Sequence, residues 1–262
     1  MMLLPILAIN ASAIALMFLL LWGISLMLRD VSIIDIFWGL GFVLVGWISL
    51  LLSEFSAKGL IIALLVSLWG IRLSAYLALR NWGKPEDYRY QAMRDKHGNK
   101  FPVVSLFTVF GLQALLIWII SLPLQVGILR AGMWEIFNTI GFCLWFTGLI
   151  FETVGDFQLL RFKSNPDNNG KVMNKGLWKF TRHPNYFGEF LVWWGFYLVV
   201  EEPQSWWWTI LAPILMSFLL IRVSGVRLLE SSLRSRVAGY EEYVRKTSAF
   251  FPLPPRNSSQ QS

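Results

Sequence analysis

Long apolar stretches alternate along the chain with short polar connections. A helix needs about 20 apolar residues to cross the hydrocarbon core of a bilayer. Seven stretches fit, although the sixth is short and is extended backwards through His183. They are 3–28, 32–52, 59–80, 103–127, 134–156, 186–200 and 206–225. We therefore predict an all-α, polytopic membrane protein with about seven transmembrane helices.

The composition agrees with a membrane protein. Hydrophobic residues make up 55% and charged residues 15% of the 262-residue chain, against about 45–50% and about 25% in soluble domains. Such a chain is neither intrinsically disordered nor a coiled coil. The single cysteine, Cys143, excludes a disulfide framework and a cysteine-built metal site, and two histidines are too few for a histidine-rich one. We predict no metal site.

The positions of the basic residues predict the topology. The chain carries a net charge of +7, and 20 of its 23 lysines and arginines follow the first, third, fifth and seventh stretches. By the positive-inside bias, the N-terminus lies outside and the C-terminus in the cytosol. The charge is thus explained by topology, and we expect no nucleic-acid partner.

Two charged residues fall inside predicted membrane helices. Arg72 lies within the third helix, with Trp69 and Tyr76 on the same face, and Asp35 lies one turn into the second helix. A charge near the middle of a bilayer is costly and should face protein or water. Asp35 and Arg72 therefore form either a structural ion pair or part of a catalytic or ligand-facing cluster.

Another group of polar residues lies around the start of the predicted sixth helix. Glu152 and Asp156, four residues apart, either mark an exposed helix end or are bridged by donors. Pro184 suits the first turn of a helix. Asn185 and Glu189 then share a face of that helix, and Gly188 allows close approach of a flat ligand or of a neighbouring helix.

Two polar connections precede this region. Residues 163–171 are rich in asparagine and could drape over a phosphate or remain solvated. Residues 83–90 form a second predicted loop, and His97 further along is expected to be a solvated loop histidine. Residues 226–252 are expected to form an amphipathic helix in the cytosol or on the membrane surface.

Residues 181–189, Thr-Arg-His-Pro-Asn-Tyr-Phe-Gly-Glu, resemble the C-terminal signature of the steroid 5-alpha-reductase superfamily. The whole chain is similar to the bacterial DUF1295 group within it. Further matching features are Gly-Asp-Phe-Gln at 155–158, Asp-Tyr-Arg-Tyr at 87–90 and Tyr-Glu-Glu-Tyr at 240–243. This resemblance implies a bacterial inner-membrane location and a cofactor cavity that opens to the cytosol.

The superfamily contains NADPH-dependent reductases of activated carbon–carbon double bonds and S-adenosylmethionine-dependent methyltransferases. Asn185 and Glu189 match the reductases, and the resemblance implies that they hold the nicotinamide end of NADPH. It also assigns further cofactor contacts to Asp156, Lys163, Arg182, His183, Tyr186, Glu230 and Tyr243. Lys163 stands where steroid 5-alpha-reductases have arginine.

The N-terminal half departs from the steroid enzymes. These place a glutamine–glutamate pair early in the second helix and a tyrosine in the third, which polarise the substrate carbonyl. Here Asp35 occupies the first position and Trp69, beside Arg72, lies near the second. We expect Asp35, Arg72 and Trp69 to form the catalytic group, and a steroid enone becomes a less obvious substrate.

The hypothesis is a membrane-bound NADPH-dependent reductase that acts on a lipid or steroid-like, hydrophobic small molecule. A membrane methyltransferase and a small transporter or lipid-binding protein are the alternatives. Residues 1–252 are expected to form one membrane-embedded domain, with substrate-side helices in 1–130 and the cofactor-binding part in 131–252. Residues 253–262 are expected to form a flexible tail. The sequence does not predict the oligomeric state.

Overall fold

The computed structural model describes residues 3–130, 132–200, 206–223, 230, 233–234, 237 and 239–256. Across these residues the secondary structure is helical, and an isolated parallel bridge between Thr181 and Ser248 is the sole β pairing. Five helices in the described residues are long and apolar enough to cross a membrane. The predicted all-α, polytopic membrane fold is confirmed.

The helices follow one another in chain order. They are α1 (Leu3–Leu28), α2 (Ile33–Leu52), α3 (Ala57–Asn81), α4 (Tyr88–His97), α5 (Phe101–Ser105), α6 (Leu112–Ile120), α7 (Leu122–Leu129), α8 (Ile136–Ser164), α9 (Pro184–Val199), α10 (Trp206–Thr209), α11 (Leu211–Phe218) and α12 (Tyr240–Lys246). A 3-10 turn and a π-helical turn, Leu106–Gly111, join α4 to α6, so that Tyr88–Ile120 is one helix of 33 residues.

Three of the predicted stretches differ from the observed helices. The fourth was placed at 103–127, but the helix begins at Tyr88 and ends at Ile120, because Pro123 lies in the first turn of a new helix and cannot continue the old one. The fifth extends to Ser164 rather than 156. The seventh is divided into α10, α11 and a π-helical turn, and residues 224–225 lie outside the described residues.

The chain divides into two compact units. Unit 1 comprises Met1–Glu135 and Val200–Ala212, and unit 2 comprises Ile136–Val199 and Pro213–Ser262. The predicted division at residue 130 within a single domain remains a prediction. Of the predicted tail, Leu253 and Arg256 donate backbone hydrogen bonds to Phe180 and Lys246, and 257–262 lie outside the described residues.

Unit 1 contains a buried polar network between three of its helices. Asn10 of α1 donates from Nδ2 to Ser49 Oγ of α2 and to Gln125 Oε1 of α7, both at 2.9 Å. Gln125 in turn donates to Ser121 Oγ at 2.9 Å. All four side chains are fully buried. Since buried polar groups in a membrane find no water, these bonds hold α1 and α7 against α2.

Unit 2 is built on the antiparallel pair α8 and α9, which meet backbone to backbone. A Cβ atom added at Gly148 would lie 2.5 Å from the carbonyl oxygen of Gly188, and one added at Gly188 would lie 2.6 Å from the backbone nitrogen of Glu152. No side chain fits at such distances. Of the two interpretations of Gly188, the structure selects close approach of a neighbouring helix.

Gly188→Ala tests this contact. The added methyl meets backbone rather than a movable side chain, so we expect a loss of stability of about 1–3 kcal/mol, typical of overpacking. The measurement is thermal unfolding in detergent. Gly23→Ala is the matched control, because nothing lies within 4 Å of a Cβ at Gly23 of α1, and alanine there should be neutral or slightly stabilising. Equal melting temperatures for the two variants would refute the packing argument.

Candidate functional site

The candidate site of unit 2 lies where the chain enters α9. The helix begins at Pro184, as predicted. The residues before it are held by the C-terminal segment, since Arg182 N donates to Ser248 O at 2.9 Å and Thr181 Oγ1 donates to Phe250 O at 2.8 Å. The backbone that presents His183 is therefore fixed from outside its own helix.

Arg182 is buried and connects Glu230 to the C-terminal end of α12. Its Nε donates to Glu230 Oε1 at 2.8 Å, and its Nη1 donates to the carbonyl oxygens of Val244 and Thr247 at 3.0 and 2.7 Å. These carbonyls belong to the C-terminal end of α12, where a cation interacts favourably with the helix dipole. Most of the guanidinium is thus occupied by protein groups, although the sequence predicted a cofactor contact.

His183 is 1% exposed and shares the Glu230 carboxylate with Arg182. Its Nε2 lies 3.1 Å from Glu230 Oε1, and its ring stacks on that of Tyr186 at 5.4 Å between centroids. Because a carboxylate only accepts hydrogen bonds, Nε2 carries the proton, and Nδ1 is an acceptor in the neutral ring. Nδ1 is buried and has no hydrogen-bond partner within the described residues.

Glu230 is ionised in this arrangement. Burial alone would raise the pKa of its carboxyl group, but hydrogen bonds from His183 and Arg182, together with the charge of Arg182, hold it at about 2. An acid that remains charged is the appropriate partner for a buried guanidinium. Glu230 therefore orients both basic side chains.

Tyr243 connects α12 to α8 through a tryptophan. Its hydroxyl donates to the carbonyl oxygen of Trp178 at 2.5 Å, and Trp178 Nε1 donates to Gly155 O at 3.1 Å. Tyr243 is buried, and burial raises the pKa of its phenol. It remains a neutral donor and positions the loop before α9.

Asn185 faces α8. Its Nδ2 donates to Asp156 Oδ1 at 3.1 Å. Glu152 and Asp156 are 1% and 4% exposed, so the possibility that they form an exposed helix end is wrong. The alternative was that donors bridge the two carboxylates, and for Asp156 the structure provides such a donor in Asn185. The close glycine contact is what brings this amide within reach of the carboxylate.

The remaining predicted cofactor residues are less enclosed. Glu189 lies one turn beyond Asn185 on α9 and is half-buried, as is Tyr186. Lys163 is exposed near the end of α8, one residue before its last. No group of three or more histidine, cysteine, aspartate or glutamate side chains that could hold a metal occurs in the described part of the chain.

In unit 1, Asp35 has partners that sequence reasoning missed. Arg89 Nη2 donates to Asp35 Oδ2 at 3.0 Å, and the hydroxyl of Tyr90 donates to Oδ1 at 2.9 Å. Both donors come from α4, whose first turn is capped by Asp87. Residues 88–97 were expected to be a loop, with His97 in it. They form a helix instead, because Asp87 caps its first turn and it continues into the next apolar stretch.

The other two predicted catalytic residues lie on α3. Trp69 is fully buried, and its ring packs edge-on against Phe42 of α2 at 5.5 Å between centroids. Arg72, nearly one turn further, is half-buried. Trp69 thus belongs to the packed contact between α2 and α3.

A family model, "Protein of unknown function (DUF1295)", matches residues 21–247. The chain belongs to the DUF1295 family. Predicted membership of this group is therefore confirmed. No solved structure matches this DUF1295 protein.

Curated relatives match the DUF1295 chain over shorter segments. Human 3-oxo-5-alpha-steroid 4-dehydrogenase 1 is 36% identical over 66 residues, which are 25% of this chain and 26% of the relative. The Macaca fascicularis enzyme of that name is 32% identical over 66 residues, 25% of each chain. The probable O-methyltransferase ustE of Ustilaginoidea virens is 42% identical over 53 residues, 20% of this chain and 18% of the relative. The chain thus spans about a quarter or less of these relatives.

Glu230→Gln tests the ionised cluster through pH. The pKa of Glu230 lies below its ordinary value of 4.5, so its contribution to stability is complete above pH 4.5 and is lost as pH falls towards about 2. The wild type should melt at a higher temperature than the variant at pH 6, and this gap should shrink at pH 3. Melting curves in detergent at both pH values provide the measurement. A gap that stays the same at both would contradict the assignment.

Proposed function

We propose that this protein is a membrane-bound reductase that uses NADPH to reduce an activated carbon–carbon double bond in a lipid or steroid-like substrate. Membership of the DUF1295 family and the similarity to two 3-oxo-5-alpha-steroid 4-dehydrogenases support an oxidoreductase. Unit 2 would hold the cofactor, and unit 1 would supply the substrate side.

The observation that carries this proposal is the buried Nδ1 of His183, which has no hydrogen-bond partner in the part of the chain that the structure describes. A buried acceptor without a hydrogen bond costs about 1–3 kcal/mol, which a bound donor would recover. In the neutral ring Nδ1 accepts a hydrogen bond, so it fits a ribose hydroxyl or an amide N–H better than a phosphate. NADPH contains both of these donor groups.

The side chains around His183 fit the rest of such a ligand. Asp156 accepts a hydrogen bond from one N–H of Asn185, and this bond fixes the orientation of the amide. The amide carbonyl and the second N–H do not take part in it. Asn185 and Glu189, one turn apart, would hold the nicotinamide carboxamide, which both donates and accepts. Exposed Lys163 would neutralise a phosphate.

In this proposal, NADPH supplies a hydride when it is bound. The protein binds, orients and excludes water. Arg182, Glu230 and Tyr243 act as positioning residues, because their hydrogen bonds fix the backbone of His183 and the loop before α9. Tyr186 stacks on the imidazole and keeps its plane fixed.

Unit 1 offers an environment for a hydrophobic substrate. It contains an open apolar groove of about 540 Å³, whose lining includes Ala11, Ala15, Phe18, Phe110, Ala114 and Trp118. Such a volume lies within the range of small-molecule sites. In this proposal, Arg72 of α3 and Arg89 of α4 would stabilise the negative charge that develops on the electron-withdrawing group of the substrate. Asp35 of α2 would hold Arg89 and Tyr90 in place through the two hydrogen bonds that it accepts.

Glu189→Ala tests the cofactor site. Loss of its carboxylate should weaken NADPH binding by about tenfold or more, because a charge-assisted hydrogen bond contributes about 1.5–3 kcal/mol. The measurement is a titration of the purified protein followed by NADPH fluorescence, preceded by native mass spectrometry for a co-purifying dinucleotide.

Glu241→Ala is the matched control, since Glu241 is an exposed glutamate of unit 2. It should bind NADPH like the wild type. Wild-type affinity in Glu189→Ala, in a protein that melts normally, would refute this site.

The similarity to an O-methyltransferase favours a second candidate function, methyl transfer from S-adenosylmethionine. The same titration separates the two. Saturable binding of S-adenosylmethionine without NADPH binding would select the methyltransferase, and the reverse would select the reductase.

Asp35→Asn tests the substrate side separately. The amide replaces the carboxylate that Arg89 and Tyr90 contact, while the cofactor residues stay unchanged. We expect NADPH affinity to be retained and NADPH oxidation with lipid-soluble enones to fall by about 10²-fold, because Arg89 loses the carboxylate that positions it and a small misplacement in a site costs about that much. Asp95→Asn, an exposed aspartate of α4, is the control. Equal turnover in both variants would remove Asp35 from the mechanism.

A further inference from the structure

The segment after α12, Thr247–Arg256, runs along the entry to α9, and we call it the strap. It is tied to the chain before α9 at three points. Arg182 N donates to Ser248 O, Thr181 Oγ1 to Phe250 O, and Leu253 N to Phe180 O, at 2.8 to 3.0 Å. The predicted amphipathic helix through residue 252 is therefore wrong beyond Lys246, where the backbone becomes extended.

The strap reaches alongside the membrane helix. Phe251 lies 6.0 Å from both Phe187 and Phe190, between ring centroids, and Phe250 lies 6.1 and 5.7 Å from the same two rings. With a rise of about 1.5 Å per residue, Phe190 lies about 9 Å along α9 from its first residue. The two phenylalanines of the strap thus lie at the level of the first two turns of α9.

Three large apolar side chains remain uncovered on this surface. Phe251 is 55% exposed, Leu253 is 54% exposed and Phe180 is 42% exposed. The hydrogen bond from Leu253 to Phe180 places the last two side by side. In water, such a patch would be unfavourable.

Basic side chains border these apolar ones. Lys175 and Lys179 precede Phe180, Arg245 lies on α12, and Arg256 ends the strap, all of them exposed. Arg256 is held near α12 by the hydrogen bond from its N–H to Lys246 O. Apolar anchors bordered by lysine and arginine are typical of segments that lie in the headgroup layer.

We propose that the strap and Phe180 form an interfacial surface that binds the anionic headgroup layer of the bilayer. Phe251, Leu253 and Phe180 enter the interface, and Lys179 and Arg256 contact lipid phosphates. Charge complementarity and continuity with α9 both favour this occupant. The strap then holds Thr181 and Arg182 from the membrane side. This proposal goes beyond the proposed reductase function and requires no cofactor.

The depth of the strap tests the proposal. Cys143, the single cysteine, is replaced by serine, and a nitroxide is attached through Leu253→Cys or, as control, through Glu241→Cys on α12. The protein is placed in nanodiscs of phosphatidylcholine with or without phosphatidylglycerol. Power saturation then compares collisions with oxygen, which is enriched in lipid, with those of a water-soluble nickel chelate.

We expect the label at position 253 to collide mainly with oxygen and the control label mainly with nickel. Phosphatidylglycerol should shift position 253 further towards oxygen and leave position 241 unchanged. Equal nickel accessibility at both positions in both lipids would overturn the proposal.

Charge reversal tests the role of the basic residues. In the double variant Lys179→Glu with Arg256→Glu, the response of position 253 to phosphatidylglycerol should disappear. Each basic residue near an anionic surface shifts the equilibrium towards the membrane-bound state of the strap by about fivefold. Lys96→Glu with Lys100→Glu, an exposed pair from unit 1, is the matched control and should keep the response. Loss of the response in both pairs, or in neither, would refute a specific contact at the strap.

Discussion

Direct backbone contact between α8 and α9 is the constraint on which unit 2 depends. Association of helices within a bilayer gains little from the hydrophobic effect and relies on close packing and interhelical hydrogen bonds. The glycines at 148 and 188 provide the first, since neither helix has room for a Cβ there. The interhelical hydrogen bond follows from this close packing, because only helices this close allow Asn185 to reach Asp156.

Charged groups are buried near the start of α9 because hydrogen bonds from segments outside α8 and α9 satisfy them. A buried ion pair is costly unless further hydrogen bonds satisfy its members. Arg182 meets this condition through Glu230 and two carbonyl oxygens at the end of α12. His183 meets it at Nε2, which bonds to Glu230, whereas its Nδ1 has no partner among the residues that the structure describes. Among the described residues, Nδ1 of His183 is therefore an acceptor left over in a cluster whose other polar groups are occupied, and this is the atom on which the proposed cofactor site rests.

Hydropathy was sufficient to predict the membrane fold, and Pro184 was sufficient to predict where α9 begins. Hydropathy failed where polar residues continue a helix, as in α4, because the cap from Asp87 and the contacts of Arg89 with Asp35 are tertiary information. Within the predicted site, the resemblance assigned Arg182, His183 and Glu230 to one cofactor site, and the structure brings the three side chains together. The resemblance could not show that Arg182 faces the strap and α12, since the direction of a side chain depends on segments about 50 to 65 residues away.

The two units place different demands on the chain. In unit 2, Asn185 is fixed by a hydrogen bond to α8, and Glu230 is fixed by hydrogen bonds from Arg182 and His183, which suits a ligand of defined shape. In unit 1, the apolar groove beside α1 is lined by small side chains, Ala11 and Ala15, and by bulky ones, Phe18 and Trp118. Such a lining offers apolar contact rather than hydrogen bonds, and one extra or missing methylene changes binding to an apolar site by only about 1–3 kcal/mol. In the proposed reductase, the polar site of unit 2 would suit a cofactor of constant structure, and the apolar groove of unit 1 would suit lipid acceptors that differ in their hydrocarbon part.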